Sequence, residues 1–152
     1  RRDTLAWLGA RALTRRLGLP RAKSFRVQRS IPVPMRDGAV LLADHYAPRT
    51  RKPAGTLLMR GPYGRDGLPN RVYVGLYAGQ GFHVVLQSTR GTFGSEGAFE
   101  PGRHEVDDGA DTVKWLHEQP WYTGEFATVG ASYLGFTQLA LLVDQPADLT
   151  TR

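Results

Sequence analysis

The sequence has no cysteine among its 152 residues, which excludes disulfides, thiol nucleophiles and cysteine-ligated zinc. Nucleophiles and bases must then come from Ser, Thr, Asp, Glu, His and Lys. No apolar run approaches the roughly 20 residues that cross a bilayer, so no transmembrane segment is predicted, and a cytoplasmic location is expected. Internal repeats and low-complexity stretches are absent too. The four histidines, His45, His83, His104 and His117, have no metal-ligand spacing. The stretch Arg90-Gly91-Thr92-Phe93-Gly94-Ser95-Glu96-Gly97 lacks the Gly-Lys-Ser/Thr ending of a phosphate-binding loop. Likewise, Gly79-x-Gly81 lacks the third glycine of a dinucleotide fingerprint.

What is present fits one globular domain: 41% hydrophobic and 22% charged residues, in a chain long enough for a single core. The net charge of +6 is unevenly spread. Residues 1–30 hold nine Arg/Lys and one Asp, a balance of +8, which leaves residues 31–152 at −2. The excess is a basic leader, either solvated surface or a contact for acidic lipid or nucleic acid. Because the body is mildly acidic, no nucleic-acid partner is expected. The chain starts Arg1-Arg2 without Met and ends Thr150-Thr151-Arg152 soon after a helical run. A fragment of a longer protein would account for both ends.

Along the chain, Leu5, Leu8, Ala12 and Leu17 lie near helical spacing with Arg11, Arg15 and Arg16 between them, before a stop at Gly18-Leu19-Pro20. Residues 1–24 therefore read as a basic amphipathic leader helix, lying on a membrane surface or packed on its own protein. Ser24 to Val33 and Val40 to Tyr46 alternate as half-buried strands around an Asp37-Gly38 turn, which makes an antiparallel hairpin. Buried-strand runs follow at Gly55–Met59, Phe82–Gln87 and Phe126–Val129, with helices at Val72–Gln80, Glu105–Glu118 and Tyr133–Val143. Apolar strands separated by helices predict an α/β fold: a mostly parallel sheet with antiparallel leading strands and helices on both faces. The strand at 126–129 is expected at an exposed apolar edge.

In such a sheet, chemistry gathers at loops after the strand ends. Val129-Gly130-Ala131-Ser132-Tyr133-Leu134-Gly135 runs from strand to helix, and a serine at that turn can hold its hydroxyl exposed between small neighbours. The helix N-terminus offers free N–H groups to an oxyanion at the same spot. A helix N-cap is the competing reading of Ser132. In the loop after the first buried strand, Arg60-Gly61-Pro62-Tyr63-Gly64, the Tyr63 hydroxyl is either a second oxyanion donor or a surface turn residue. After Ser132 come Asp144 and Asp148 but no histidine, so no base for Ser132 is evident.

Several segments together resemble one family, the cocaine-esterase-like and Xaa-Pro dipeptidyl-peptidase-like (CocE/NonD) hydrolases. They are Val33 to Gly38, Arg60 to Gly64, Gln87 to Gly91 with Gly94 to Gly97, Glu105 to Leu116, Gln119-Pro120-Trp121, and Gly130 to Gly135, and they occur in family order. The family's Gly-x-Ser-Tyr-x-Gly is matched by Gly130, Ser132, Tyr133 and Gly135. The resemblance implies the N-terminal part of an α/β-hydrolase catalytic domain over 25–152. Ser132 would be the nucleophile, and the Tyr133 N–H and Tyr63 hydroxyl the oxyanion hole. It further implies no cofactor, an ester, amide or peptide substrate, and a catalytic Asp and His beyond residue 152. The 152-residue piece alone is then expected to be inactive. The alternative of another class is a non-catalytic binding module that keeps the fold.

Overall fold

The computed structural model describes residues 2–150. In chain order the elements are α1 (Arg2–Arg16), β1 (Phe25–Pro34), β2 (Val40–Pro48), β3 (Gly55–Gly61), α2 (Leu68–Gly79), β4 (Phe82–Ser88), α3 (Glu105–His117), β5 (Phe126–Thr128) and α4 (Tyr133–Ala140). The sheet order is β1-β2-β4-β3-β5. β1, β2 and β4 pair antiparallel, while β4, β3 and β5 run parallel. The hairpin expected from Asp37-Gly38 forms, with Gly38 at φ 88 and its N–H donated to the Met35 carbonyl. β1 carries Pro32 and Pro34, which its edge position tolerates because, among the described residues, no strand lies beyond it to need their missing donors.

The strands alternate between two separately packed faces. Leu58 and Val85 join Val33, Leu41 and Ala43 in a core closed by Val113, Trp115 and Leu116 of α3. Leu57, Met59, Val84 and Leu86 join Tyr46 in a second core closed by Val74 and Ala78 of α2. Helices thus cover both faces, as the continuous apolar runs of β3 and β4 require. α2 begins at Leu68, earlier than its apolar spacing implies, because Pro69 suits a first turn whose N–H groups have no partner. α4 ends at Ala140 and passes into turns before Pro146, short of the predicted Val143.

Two expectations change. α1 packs on the protein, but through its small residues: Ala6, Ala10 and Thr14 are buried, whereas Leu5, Leu8 and Leu17 are exposed. The reason is close approach to α2, where the Gly75 Cα faces the Ala10 methyl and a Gly9 side chain would strike Val72. Leucines at that contact would hold the helices apart. β5 is an edge strand as predicted, yet Phe126 is 1% exposed. The Phe126 N–H donates to the Asp148 carbonyl at 3.0 Å, and the Thr150 N–H to the Phe126 carbonyl at 2.8 Å. Residues 148–150 thereby cover the outer side of the strand at that point.

On the α3 side, His45 Nε2 meets His83 Nδ1 at 3.0 Å, and the Trp121 ring stacks on His45 at 3.7 Å. Burial, then repulsion from His83, pushes His45 down to about 3, and burial lowers His83 as well. The folded state therefore holds both imidazoles neutral, while the unfolded chain protonates near the ordinary value of 6.5. Their contribution to stability is intact above that pH and declines as pH falls toward 3. The melting temperature should fall on acidification from pH 6.5, and less steeply in His45→Gln; parallel curves for both proteins would disprove the assignment.

Candidate active site

Ser132 stands between β5 and α4 with φ 59 and ψ −126. This left-handed conformation costs a non-glycine residue on the order of 1–3 kcal/mol and must be imposed by its surroundings. One source is Gly130, at φ 143, where any Cβ would lie 2.4 Å from the Leu134 Cβ. The Gly130 carbonyl accepts a hydrogen bond from Gln138 Nε2 at 2.9 Å, which ties the turn to the second turn of α4. Ser132 occupies the N-cap position, and its carbonyl accepts the Phe136 N–H at 3.1 Å, yet its hydroxyl does not cap the helix. The hydroxyl therefore does not serve as a helix cap, and the residue is exposed.

What it meets is Tyr63. The Tyr63 hydroxyl donates to Ser132 Oγ at 3.1 Å and accepts the Tyr133 N–H at 3.3 Å. The three groups named from the sequence therefore converge. The hydrogen bond with Ser132, followed by that from the Tyr133 N–H, shifts the Tyr63 phenol below its ordinary value. Tyr63 is held by its loop: Asn70 Nδ2 donates to the Tyr63 and Gly64 carbonyls at 3.2 and 3.0 Å. Two residues on, Arg65 donates to Asp44 Oδ1 at 3.1 Å, to the Phe93 carbonyl at 3.2 Å, and to the Ser88 hydroxyl. A cavity of 40 Å³ lies beside Tyr63, lined by Met59, Gly61, Val74, Leu86 and Leu134. Ser132 and Tyr63 are both exposed to solvent.

The glycine-rich stretch forms a structural loop. Arg90 donates twice to the buried Asp108 carboxylate, at 2.6 and 3.0 Å, and pairs with Asp37 at 2.8 Å. Of the histidines, His45 and His83 bind each other, His104 lies 3.2 Å from Glu100, and His117 lies 2.7 Å from Asp148. Among the described residues no group of three or more His, Cys, Asp or Glu is placed to hold a metal ion.

Sequence reading did not single out the buried pair Arg60–Glu105, whose Nη2 and Oε2 lie 3.2 Å apart. Its signal was a charged residue closing an otherwise apolar buried strand, Leu57-Leu58-Met59-Arg60. Glu105 was read only as the start of a helix, yet its Oε1 accepts the Tyr133 hydroxyl at 2.8 Å. Since the turn depends on Gly130, Gly130→Ala should destabilise the protein by about 1–3 kcal/mol through overpacking against Leu134. A chemical-denaturation midpoint equal to wild type would refute this.

The X-Pro dipeptidyl-peptidase (S15 family) model matches residues 37–151. Cocaine esterase of Rhodococcus sp. (strain MB1 Bresler) is 38% identical over 119 residues, covering 76% of this chain and 21% of that protein. Solved structures share the fold. A CocE/NonD family hydrolase from Staphylococcus aureus superposes with a TM-score of 0.73 at 24% identity, over 82% of this chain and 26% of its own. An aminopeptidase from a marine sediment Thaumarchaeota archaeon gives 0.70 at 24% identity, over 85% and 25%. The chain thus spans about a fifth to a quarter of the length of these relatives. By the match to most of its length, and in keeping with the order of its segments, the chain belongs to the X-Pro dipeptidyl-peptidase (S15) family of hydrolases.

Proposed function

We propose that the complete protein is a serine hydrolase that cleaves ester or amide bonds, Xaa-Pro dipeptidyl bonds among them, through an acyl-enzyme on Ser132. The observation that carries this reading is the convergence of an exposed, non-capping serine hydroxyl with a phenol at 3.1 Å and a backbone N–H 3.3 Å from the same phenol. Residues 1–24 act as a leader, and residues 25–152 supply the first part of the catalytic domain.

In the proposed reaction a histidine takes the Ser132 proton as Oγ attacks the substrate carbonyl carbon. The carbonyl oxygen becomes an oxyanion. The Tyr63 hydroxyl and Tyr133 N–H, which bind Ser132 Oγ and Tyr63 Oη in the free protein, turn to that oxygen. Collapse expels the alcohol or amine, protonated by the same histidine, and water then hydrolyses the acyl-enzyme. Each of this chain's four histidines is engaged elsewhere. The family resemblance implies a base and its carboxylate partner beyond Arg152, and residues 1–152 alone should show no turnover. No cofactor is invoked.

A fluorophosphonate should label the complete protein at Ser132 and leave Ser132→Ala unlabelled. Absence of labelling at Ser132 would favour a non-catalytic binding module instead. Tyr63→Phe removes one oxyanion donor and should lower kcat about 100–1000-fold. Tyr63 must stay protonated to donate, and its neighbours lower its pKa from 10.0. Since those neighbours act in the free protein, kcat/KM should decline on the alkaline side from a pH below the ordinary phenol value of 10.0, a limb that Tyr63→Phe lacks.

A further inference from the structure

We infer that the buried Arg60–Glu105 pair is a positioning device that sets the spacing between the two oxyanion donors by gripping the phenol of Tyr133. The inference rests on the roles proposed above for Ser132, Tyr63 and Tyr133.

Both donors are referenced to the end of β3. Tyr63 is joined to it covalently, three residues after Arg60. Tyr133 reaches it through space, because its hydroxyl donates to Glu105 Oε1 at 2.8 Å while Glu105 Oε2 lies 3.2 Å from Arg60 Nη2. The Arg60 guanidinium is itself fixed: Nε donates to Gln87 Oε1 on β4 at 2.7 Å, and Nη1 to the Glu105 carbonyl at 3.3 Å. Gln87 in turn is locked by Thr112 of α3, with Nε2 donating to Thr112 Oγ1 at 2.9 Å. Arg60 also acts through its carbonyl, which accepts the Thr137 hydroxyl of α4 at 2.9 Å. One residue of β3 therefore holds the start of α3 by its side chain and the second turn of α4 by its backbone.

The Tyr133 hydroxyl accepts the Gly102 N–H at 3.2 Å as well, so the ring is pinned at its far end from two sides. Its backbone N–H, at the near end, stays directed toward Tyr63. A carbonyl oxygen needs two donors at about 2.7–3.1 Å simultaneously, and their separation decides whether both reach it. Arg60 and Glu105 touch neither substrate nor reacting atoms in this arrangement. They act through Tyr133.

The test uses the complete protein with 4-nitrophenyl acetate as substrate, phenylboronic acid as a tetrahedral-anion mimic, and Ser132→Ala as the control. Tyr133→Phe keeps the backbone N–H and removes the grip. It should lower kcat by about 10–100-fold, weaken phenylboronic acid by a similar factor, and leave KM within about twofold. A kcat within about twofold of wild type overturns the positioning role, and so does a kcat loss with unchanged boronate affinity. Glu105→Gln should reproduce the same split; if it fails to fold, Tyr133→Phe alone decides. Hydrolysis surviving in Ser132→Ala overturns the nucleophile assignment and this inference together. A silent Ser132→Ala enzyme alongside an unimpaired Tyr133→Phe enzyme overturns only the inference.

Discussion

A full positive charge sits beneath the candidate site, in a side chain only 1% exposed, and is neutralised by a carboxylate 4% exposed. Removing either member of such a pair leaves an uncompensated buried charge, which costs about 3–5 kcal/mol. Burial drives the Arg60 pKa down, and the nearby Glu105, Asp108 and Tyr133 oppose that shift. The consequence is geometric. A charge that cannot be left unpaired allows β3, β4, the head of α3 and the head of α4 one mutual arrangement, and the open hydroxyl of Ser132 stands on top of it. Arg65 with Asp44, and Arg90 with Asp108, repeat the device in the loops on either side. Three arginine–aspartate or arginine–glutamate contacts at strand ends thus fix loops that glycine would otherwise leave loose.

Much of this architecture was legible because the cores are written with period two. Leu57-Leu58-Met59 and Val84-Val85-Leu86 each send neighbours to opposite faces, and a run apolar on both faces has to be a central strand. The turn at Ser132 was legible for a different reason: glycine and serine at 130 and 132 next to a helix start have few local explanations. Helix α1 was misjudged in its face. Apolar spacing located the helix, but which side packs was decided by how near α2 comes, and that depends on Gly9 and Gly75 rather than on hydrophobicity.

The charged residues were the least legible part of the site. Arg60 and Glu105 are 45 positions apart, and nothing local marks them as partners. Their union depends on the path of the chain from β3 through α2 and β4 to α3, which brings the head of α3 back to the end of β3. The same holds for His45 and His83, which carry no metal spacing and yet share a hydrogen bond because β2 and β4 are neighbours. Sequence reading could dismiss them as ligands but could not pair them.

Ser132 illustrates where stability and chemistry part company. At φ 59 a glycine would rest without strain, so the polypeptide would gain by losing its side chain there. Retaining serine keeps a local tension that the surrounding contacts must contain. For the nucleophile proposed here, optimisation for robustness and optimisation for reactivity would pull in opposite directions, and a thermostabilising redesign that scores backbone comfort alone would erase the hydroxyl first.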